Sequence, residues 1–320
     1  MKRFVGLVAV VCAVACAWLS RPVRWEVEGL SMAPGLLPGD VAESAAFALL
    51  DDRRGPHRFE RWALLGPDGQ MVVKRVWGLP GEEIGIIDGE IAVDGGVIVK
   101  PPCVLADVAL PVVPEVCEVT ASRAVVVLPD AVFDDMPFAP DEHRVLVPVH
   151  DVGVAVVIDV DERNRGERAA SVEIRVADRT VGMWPGCPGR CVAVAGRLDV
   201  AFVATAWPMQ GKTDSRSVLP AGTTAAWAVQ STWSRREPVT SIEIRVVAPA
   251  ARRDGIVIAD VIAWRDVHQL CPASGTPQWH LGPAECFVLG DFPGGSRDSR
   301  HWGGIDVARL RHRIAVRHPH

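Results

Sequence analysis

Two hexamers far apart in the chain, Ser171-Val-Glu-Ile-Arg-Val176 and Ser241-Ile-Glu-Ile-Arg-Val246, alternate apolar and charged residues without a break. Side chains of a strand point to opposite faces in turn, so this pattern describes a strand with one buried and one wet face, as in an antiparallel sheet. The same stretch of sequence holds further β-patterned segments: Ala124–Leu128, Val145–Val149, Val154–Val160, Val192–Thr205, Ala225–Val229 and Ile256–Trp264. No helical period runs through it. Strands with one apolar face must bury it, and two sheets packed face to face do so most simply. Residues 103–283 are therefore expected to form a β-sandwich, jelly-roll or lectin-like in outline, with its first and last strands side by side. Trp184, Trp207, Trp227, Trp233 and Trp264 are expected to divide between its core and one exposed face.

The chemistry-bearing residues lie outside that block. In Glu28-Gly29-Leu30-Ser31-Met32-Ala33-Pro34-Gly35, a serine sits between glycines and a proline. Glycines open backbone angles closed to other residues and proline fixes its own φ, so such a turn can aim one hydroxyl and leave N–H groups nearby. A serine nucleophile needs both, together with a base. The candidate base is Lys74 in Met71-Val-Val-Lys-Arg-Val-Trp77, a β-branched run ended by Gly78-Leu-Pro-Gly81. Alternation puts Lys74 on the face of Val72 and Val76 and turns Arg75 the other way. Apolar surroundings disfavour an ammonium, which fits a lysine to act as a base. A third cluster follows the short apolar strand Phe287-Val-Leu289: Gly290-Asp-Phe-Pro-Gly-Gly-Ser-Arg-Asp-Ser-Arg300. There Ser296 can hydrogen-bond a neutral amine, while Asp298 and Arg300 can pair and brace the loop. Taken singly, each piece also reads as an ordinary loop or an edge lysine.

In this order the three pieces resemble the bacterial signal peptidase I family. The first matches its nucleophile box, Gly-x-Ser-Met-x-Pro. The second matches its base box, Lys-Arg-Val-x-Gly-Leu-Pro-Gly, and continues through Gly89-Glu-Ile-Ala-Val-Asp-Gly95. The third matches Phe-Val-Leu-Gly-Asp and, further on, Asp-Ser-Arg-x-Trp-Gly. The resemblance covers roughly residues 1–102 and 284–320. It implies Ser31 as nucleophile, Lys74 as general base and Ser296 as the residue orienting the lysine. Asp298 and Arg300 become supporting residues, and the Ser31 N–H an oxyanion donor. Gly29 stands where some members carry a serine that also donates to the oxyanion. The chain departs from the family at Phe292-Pro-Gly-Gly295, at Gly35, and at Arg58-Phe-Glu-Arg-Trp62, where the family has Arg-Gly-Asp.

The implied function is a membrane-anchored serine endopeptidase that removes signal peptides from exported preproteins with small residues at −1 and −3. It needs no cofactor and no metal. Two alternatives stand beside it: a specialised processing peptidase for one class of exported protein, and an inactive membrane-anchored β-sandwich binding protein. The implied fold is mostly β: a signal-peptidase-type antiparallel β catalytic domain, an inserted β-sandwich and one N-terminal transmembrane helix. The expected divisions are an anchor at 1–22, a catalytic domain split between 23–102 and 284–320, and the insert at 103–283.

Met1-Lys-Arg3 opens the chain and Phe4 to Leu19 is uncharged and mostly apolar. That run is slightly short of the roughly 17–25 residues that usually span a bilayer, but Trp18, Trp25, Arg21 and Arg24 can extend its reach. Ala15-Cys-Ala17 also fits the small-x-small pattern of a removed signal. A retained anchor places the catalytic part outside the cytoplasmic membrane, with the lipid bilayer as a partner and Ser31 close to its surface.

Trp62–Leu65 with Met71–Trp77, and Ile84–Ile87 with Glu90–Val99, are expected to form hairpins, Glu43–Asp52 a short helix, and Ile305–Val316 a basic strand or short helix. A net charge of −5 offers no basic surface for nucleic acid. Six cysteines lie beyond the N-terminal run, and nearness along the chain suggests Cys103–Cys117, Cys187–Cys191 and Cys271–Cys286 as disulfides, with free thiols as the alternative. An envelope partner or sugar is conceivable for the insert on the grounds of fold analogy alone.

Overall fold

The structure, a computed structural model, describes residues 22–44, 55–135, 146–160, 171–176, 179–185, 189–198, 201–208, 228–230, 239, 241–247, 256–270 and 277–315. It is mostly β. The chain divides into two compact units. One comprises Met1–Ile86, Ile91–Gly95 and Leu270–His320; the other comprises Ile87–Glu90 and Gly96–Gln269.

The first unit is built on a seven-stranded sheet in the order Arg24–Glu26, Val41–Ser44, Leu310–Ala315, Arg61–Leu65, Met71–Gly78, Glu285–Leu289, Ile305–Asp306. Its central hairpin pairs Arg61–Leu65 with Met71–Gly78 in antiparallel register, Trp62 opposite Lys74 and Leu64 opposite Val72. The turn between them holds Gly69 at φ 79°, and the Gly66 N–H donates to the Gln70 carbonyl. One face of the sheet buries Trp62, Leu64, Val76, Cys286, Val288 and Ile305, with Val72 packed against them. The other buries Ala42, Ala63 and Ile314 beneath Trp25, Val27 and Val73. Both faces are covered, which is why this hairpin reads as a nearly continuous apolar run.

The second unit holds two larger sheets. One is ordered Arg179–Pro185, Ser171–Val176, Ser241–Val247, Arg123–Val127, Val116–Thr120. The other is ordered Ala228–Gln230, Ala201–Pro208, Gly189–Leu198, Val152–Val160, Ile256–Arg265, Leu110–Val112. The two alternating hexamers pair directly with each other, Ile174 opposite Ile244. Val172, Ile174, Val176, Ile242 and Ile244 from the first sheet share one apolar cluster with Val154, Val156, Ile158, Ala193 and Ile258 from the second. The six-stranded sheet is buried on its other face as well. There Ala155, Val192, Val194 and Trp264 meet Leu105, Ala106 and Ala109, the first two from a short helix, Pro102–Val108.

The expected Val192–Thr205 strand is two strands, Gly189–Leu198 and Ala201–Pro208, paired antiparallel. Burial on both sides removes the alternation that would have marked a break. Glu90–Val99 likewise divides, into Glu90–Val93 and Gly96–Val97, at a turn with Asp94 and Gly95 both at positive φ. Val41–Ser44 is a strand where a helix was expected to begin, and the rest of Glu43–Asp52 lies outside the described residues. Ile305–Val316 resolves into a two-residue strand, a single 3₁₀ turn and the strand Leu310–Ala315. Leu110–Val112 pairs with Ile256–Arg265, whereas Gln278–His280, the last described strand within 103–283, pairs with Glu83–Ile87, so the first and last strands of that stretch are not neighbours. Trp264 is fully buried; the side chains of Trp184, Trp207, Trp227 and Trp233 lie outside the description.

Cys117 and Cys286 are free thiols, so neither Cys103–Cys117 nor Cys271–Cys286 forms. Cys117 is exposed on an outer strand, and Cys286 is sealed within the first unit's core, where burial pushes its thiol up to about 12. Cys187 and Cys271 lie outside the described residues. Among the described residues no helix is long and apolar enough to cross a membrane, and the Phe4–Leu19 run falls outside them.

Candidate active site

The Ser31 turn is closed at its neck by two backbone bonds. The Val27 N–H donates to the Asp40 carbonyl and the Gly39 N–H to the Val27 carbonyl, both at 2.8 Å. Inside the loop, the Leu37 N–H donates to Asp40 Oδ2 at 2.8 Å. Met32 and Leu36 are buried and pin the turn, while Leu30 stands exposed. Ser31 itself is half-buried. Gly29 is exposed, with open space where a side chain would project.

The Ser31 carbonyl accepts the Phe292 N–H at 3.1 Å. The close approach depends on Gly290: a Cβ there would collide with both the Ser31 carbonyl and the Ser296 side chain. A missing side chain therefore brings the two serine-bearing loops together. Among the described residues the Ser31 N–H donates to no acceptor.

Lys74 is buried on the Met71–Gly78 strand, and its Nζ donates to Ser296 Oγ at 3.0 Å. Burial depresses its pKa to about 8; Arg300 adds to the fall, and the Asp298 and Asp291 carboxylates oppose it. Ser296 in turn hydrogen-bonds Asp298. Asp298 is a hub. It takes the Gly290 N–H at 3.0 Å, the Arg300 Nε at 2.9 Å and the Arg300 Nη2 at 2.8 Å. It also caps the Ser299–Trp302 helical turn in a capping box with His301. Burial alone would raise its carboxyl, but the Arg300 bonds, the Gly290 N–H and Ser296 outweigh that and hold it below the usual range. Arg300 Nη2 also donates to the Pro293 carbonyl at 2.9 Å, closing the loop on itself.

Of the residues expected at the site, Lys74, Ser296, Asp298 and Arg300 form one bonded chain. The Ser31 backbone joins it through Phe292 and Gly290, and Gly29 stays apart. Sequence reasoning missed Arg75 and Asp291. Arg75 Nε and Nη2 grip the Asp291 carboxylate at 2.8 and 2.6 Å, and Nη1 reaches the Phe59 carbonyl at 3.0 Å. Arg61 lies opposite Arg75 across the hairpin, 3.7 Å from the same carboxylate. Two guanidiniums face to face would repel, and Asp291 offsets both. The one available signal was the alternation that turned Arg75 away from Lys74.

For metal, one acidic group among the described residues is compact enough. Glu90, Asp151 and Asp266 bring oxygens within 4.8 Å of one another. Lys100 already supplies a cation there, with Nζ 2.9 Å from Glu90 and 2.8 Å from Asp266.

A serine, a buried amine of lowered pKa and an ordered hydroxyl beside it make up the chemical inventory of a serine hydrolase whose base is lysine. Residues 1–107 match the family described as "Signal peptidase, peptidase S26". The "Signal peptidase I V" of Bacillus subtilis (strain 168) is 34% identical over 102 residues, which cover 31% of this chain and 60% of that protein. These matches make residues 1–107 similar to signal peptidases. The chain thus spans about 60% of the length of the curated relative it matches. The matched segment holds Ser31 and Lys74 and ends before Ser296.

Proposed function

We propose that the protein is a membrane-anchored serine endopeptidase that removes signal peptides from exported preproteins through a Ser31–Lys74 dyad. The observation that carries this reading is the buried Lys74 amine, 3.0 Å from Ser296 Oγ and with a pKa of about 8. A lysine at its ordinary pKa is almost wholly protonated at neutrality and cannot take a proton. At about 8, on the order of one molecule in ten carries the neutral amine at pH 7. In that form Lys74 takes the Ser31 hydroxyl proton as Oγ attacks the scissile carbonyl. The resulting ammonium protonates the leaving amine, and water, deprotonated by the same lysine, hydrolyses the acyl-enzyme. The Ser31 N–H donates to the oxyanion. Ser296 holds the amine in its rotamer, and Asp298 and Arg300 hold Ser296. The substrates are preproteins with small residues at −1 and −3. Phe4–Leu19 is the anchor. Residues 103–283, between the two catalytic segments, are an inserted β-sandwich, a reading supported by the apolar cluster shared between the two sheets of the second unit.

The test is cleavage of a model preprotein in membranes or detergent. Ser31→Ala and Lys74→Ala each abolish cleavage while the protein still melts cooperatively. Ser296→Ala lowers the rate by about 10²-fold, as for loss of one positioned polar group. Substantial cleavage by folded Ser31→Ala protein refutes the mechanism.

A further inference from the structure

The second unit contains a buried amine with no role in the reaction above. Lys100 is 2% exposed, Asp266 0% and Glu90 4%. Lys100 Nζ lies 2.8 Å from Asp266 Oδ2 and 2.9 Å from Glu90 Oε2. The other oxygen of Asp266, Oδ1, accepts the Val267 N–H at 2.7 Å. Asp151 is the third carboxylate of the group, and Arg197 Nε approaches it at 3.8 Å. Two carboxylates thus flank one amine, and the carboxyl group nearer to it has its far oxygen held by a backbone donor. Both would be ordinary in a surface ion pair. Buried, they place a nucleophile, an electrophile, a proton carrier and an oxyanion donor in contact.

We propose that Lys100 and Asp266 condense into an intramolecular amide bond, with Glu90 carrying the protons. Glu90 relays a proton from the Lys100 ammonium to Asp266 Oδ2, which neutralises the carboxylate, and the freed nitrogen lone pair attacks Asp266 Cγ. Negative charge develops on Oδ1, facing the Val267 N–H. A second proton leaves nitrogen, the Cγ–Oδ2 bond breaks, and Oδ2 departs as water with both protons. One hydrogen remains on the amide nitrogen. Ammonium and carboxylate become amide and water, with no oxidant and no activating group. In open water the balance favours the separate ions. Here the partners are held in contact, which is equivalent to a very high local concentration. Two charges that are costly to keep out of water are also replaced by a neutral group. Of the two flanking carboxylates Asp266 is the electrophile, because Val267 polarises its carbonyl and its short side chain leaves it less freedom. Lys100 precedes the Pro102–Val108 helix and Asp266 follows the Ile256–Arg265 strand. The bond therefore closes the second unit covalently, joining its beginning to its end, next to the pairing of Leu110–Val112 with Ile256–Arg265.

The full-length protein is purified under reducing conditions, denatured and weighed by mass spectrometry. The expected mass is that of the chain less one water. Digestion then yields a branched peptide pair joined between Lys100 and Asp266. Glu90→Ala keeps both partners yet restores the full mass, as does Lys100→Arg. Protein nicked between residues 100 and 266 migrates as one species on a denaturing gel. A full-mass wild-type chain overturns the proposal, whether or not the variants fold. So does a missing water that maps to a linear peptide, as from a succinimide at an Asp–Gly pair, or a bond that maps to Glu90 or Asp151.

Discussion

Lys74 and Arg75 are neighbours in sequence and opposites in environment. Both are buried on one strand. Lys74 faces a hydroxyl and loses part of its affinity for a proton; Arg75 faces a carboxylate and keeps its charge. The roles proposed for them need that difference: a base must be able to become neutral, and a brace must not. Asp291 is a counter-ion for Arg75 and lies close to Arg61 as well, so its removal takes away the carboxylate that the two guanidiniums share. Asp291→Ala should cost about 3–5 kcal/mol, the range for breaking one side of a buried ion pair, read as a fall in the midpoint of a denaturant melt. A change under about 1 kcal/mol would show that the pair contributes little beyond its own desolvation. The depressed lysine was legible from alternation with Val72 and Val76. The Arg75 partner was not, because the two lie 216 positions apart and nothing local connects them.

The elements of the site are a turn, a strand and a capped loop, and Gly290 is where turn and loop meet. Gly290→Ala inserts a methyl group against the Ser31 carbonyl and Ser296, so it separates the loops without removing any reacting group. The expected result is a loss of kcat at least as large as for Ser296→Ala, with cooperative unfolding retained. Full activity in that variant would mean that the two loops need not touch. Strands with one wet face were the most readable elements; Ser171–Val176 and Ser241–Val247 appear where alternation put them. The strand Val116–Thr120 was missed because it is exposed throughout and presents no apolar face to read. The Pro102–Val108 helix was missed because a Pro-Pro pair reads as the close of a block, although Pro at the first helical position is favourable. Phe59 sits at φ 72°, in the segment where the family carries Arg-Gly-Asp, with its ring edge-on to Trp77 at 5.3 Å. Sequence alone marked this segment as a departure; the structure shows a bulky side chain in a left-handed conformation that favours glycine.

At the scale of the molecule, two compact units share one chain; three of the four chain crossings lie in a short stretch between Ile86 and Gly96, and the fourth is at Gln269–Leu270. Ser31, Lys74 and Ser296 fall in the first unit, and the apolar cluster common to two sheets falls in the second. If the second is an independent domain, residues 96–269 expressed alone should give a β-type circular-dichroism spectrum and a single cooperative melt. A disordered or helical spectrum would show that it depends on the rest of the chain. For the first unit, the lowered lysine pKa also affects stability. The folded value of about 8 lies below the ordinary 10.5, so the unfolded chain binds the proton more tightly, and this group's contribution to stability is least below about pH 8 and rises from there to about 10.5. Its effect on catalysis runs through the same protonation state. If one amine acts as the base for Ser31, the pH dependence of kcat/KM on a model preprotein shows it most directly. The predicted profile climbs about tenfold per pH unit on the acid side and levels off above an apparent pKa near 8. A rate flat from pH 6 to 9, or one that falls as the amine becomes neutral, would contradict it.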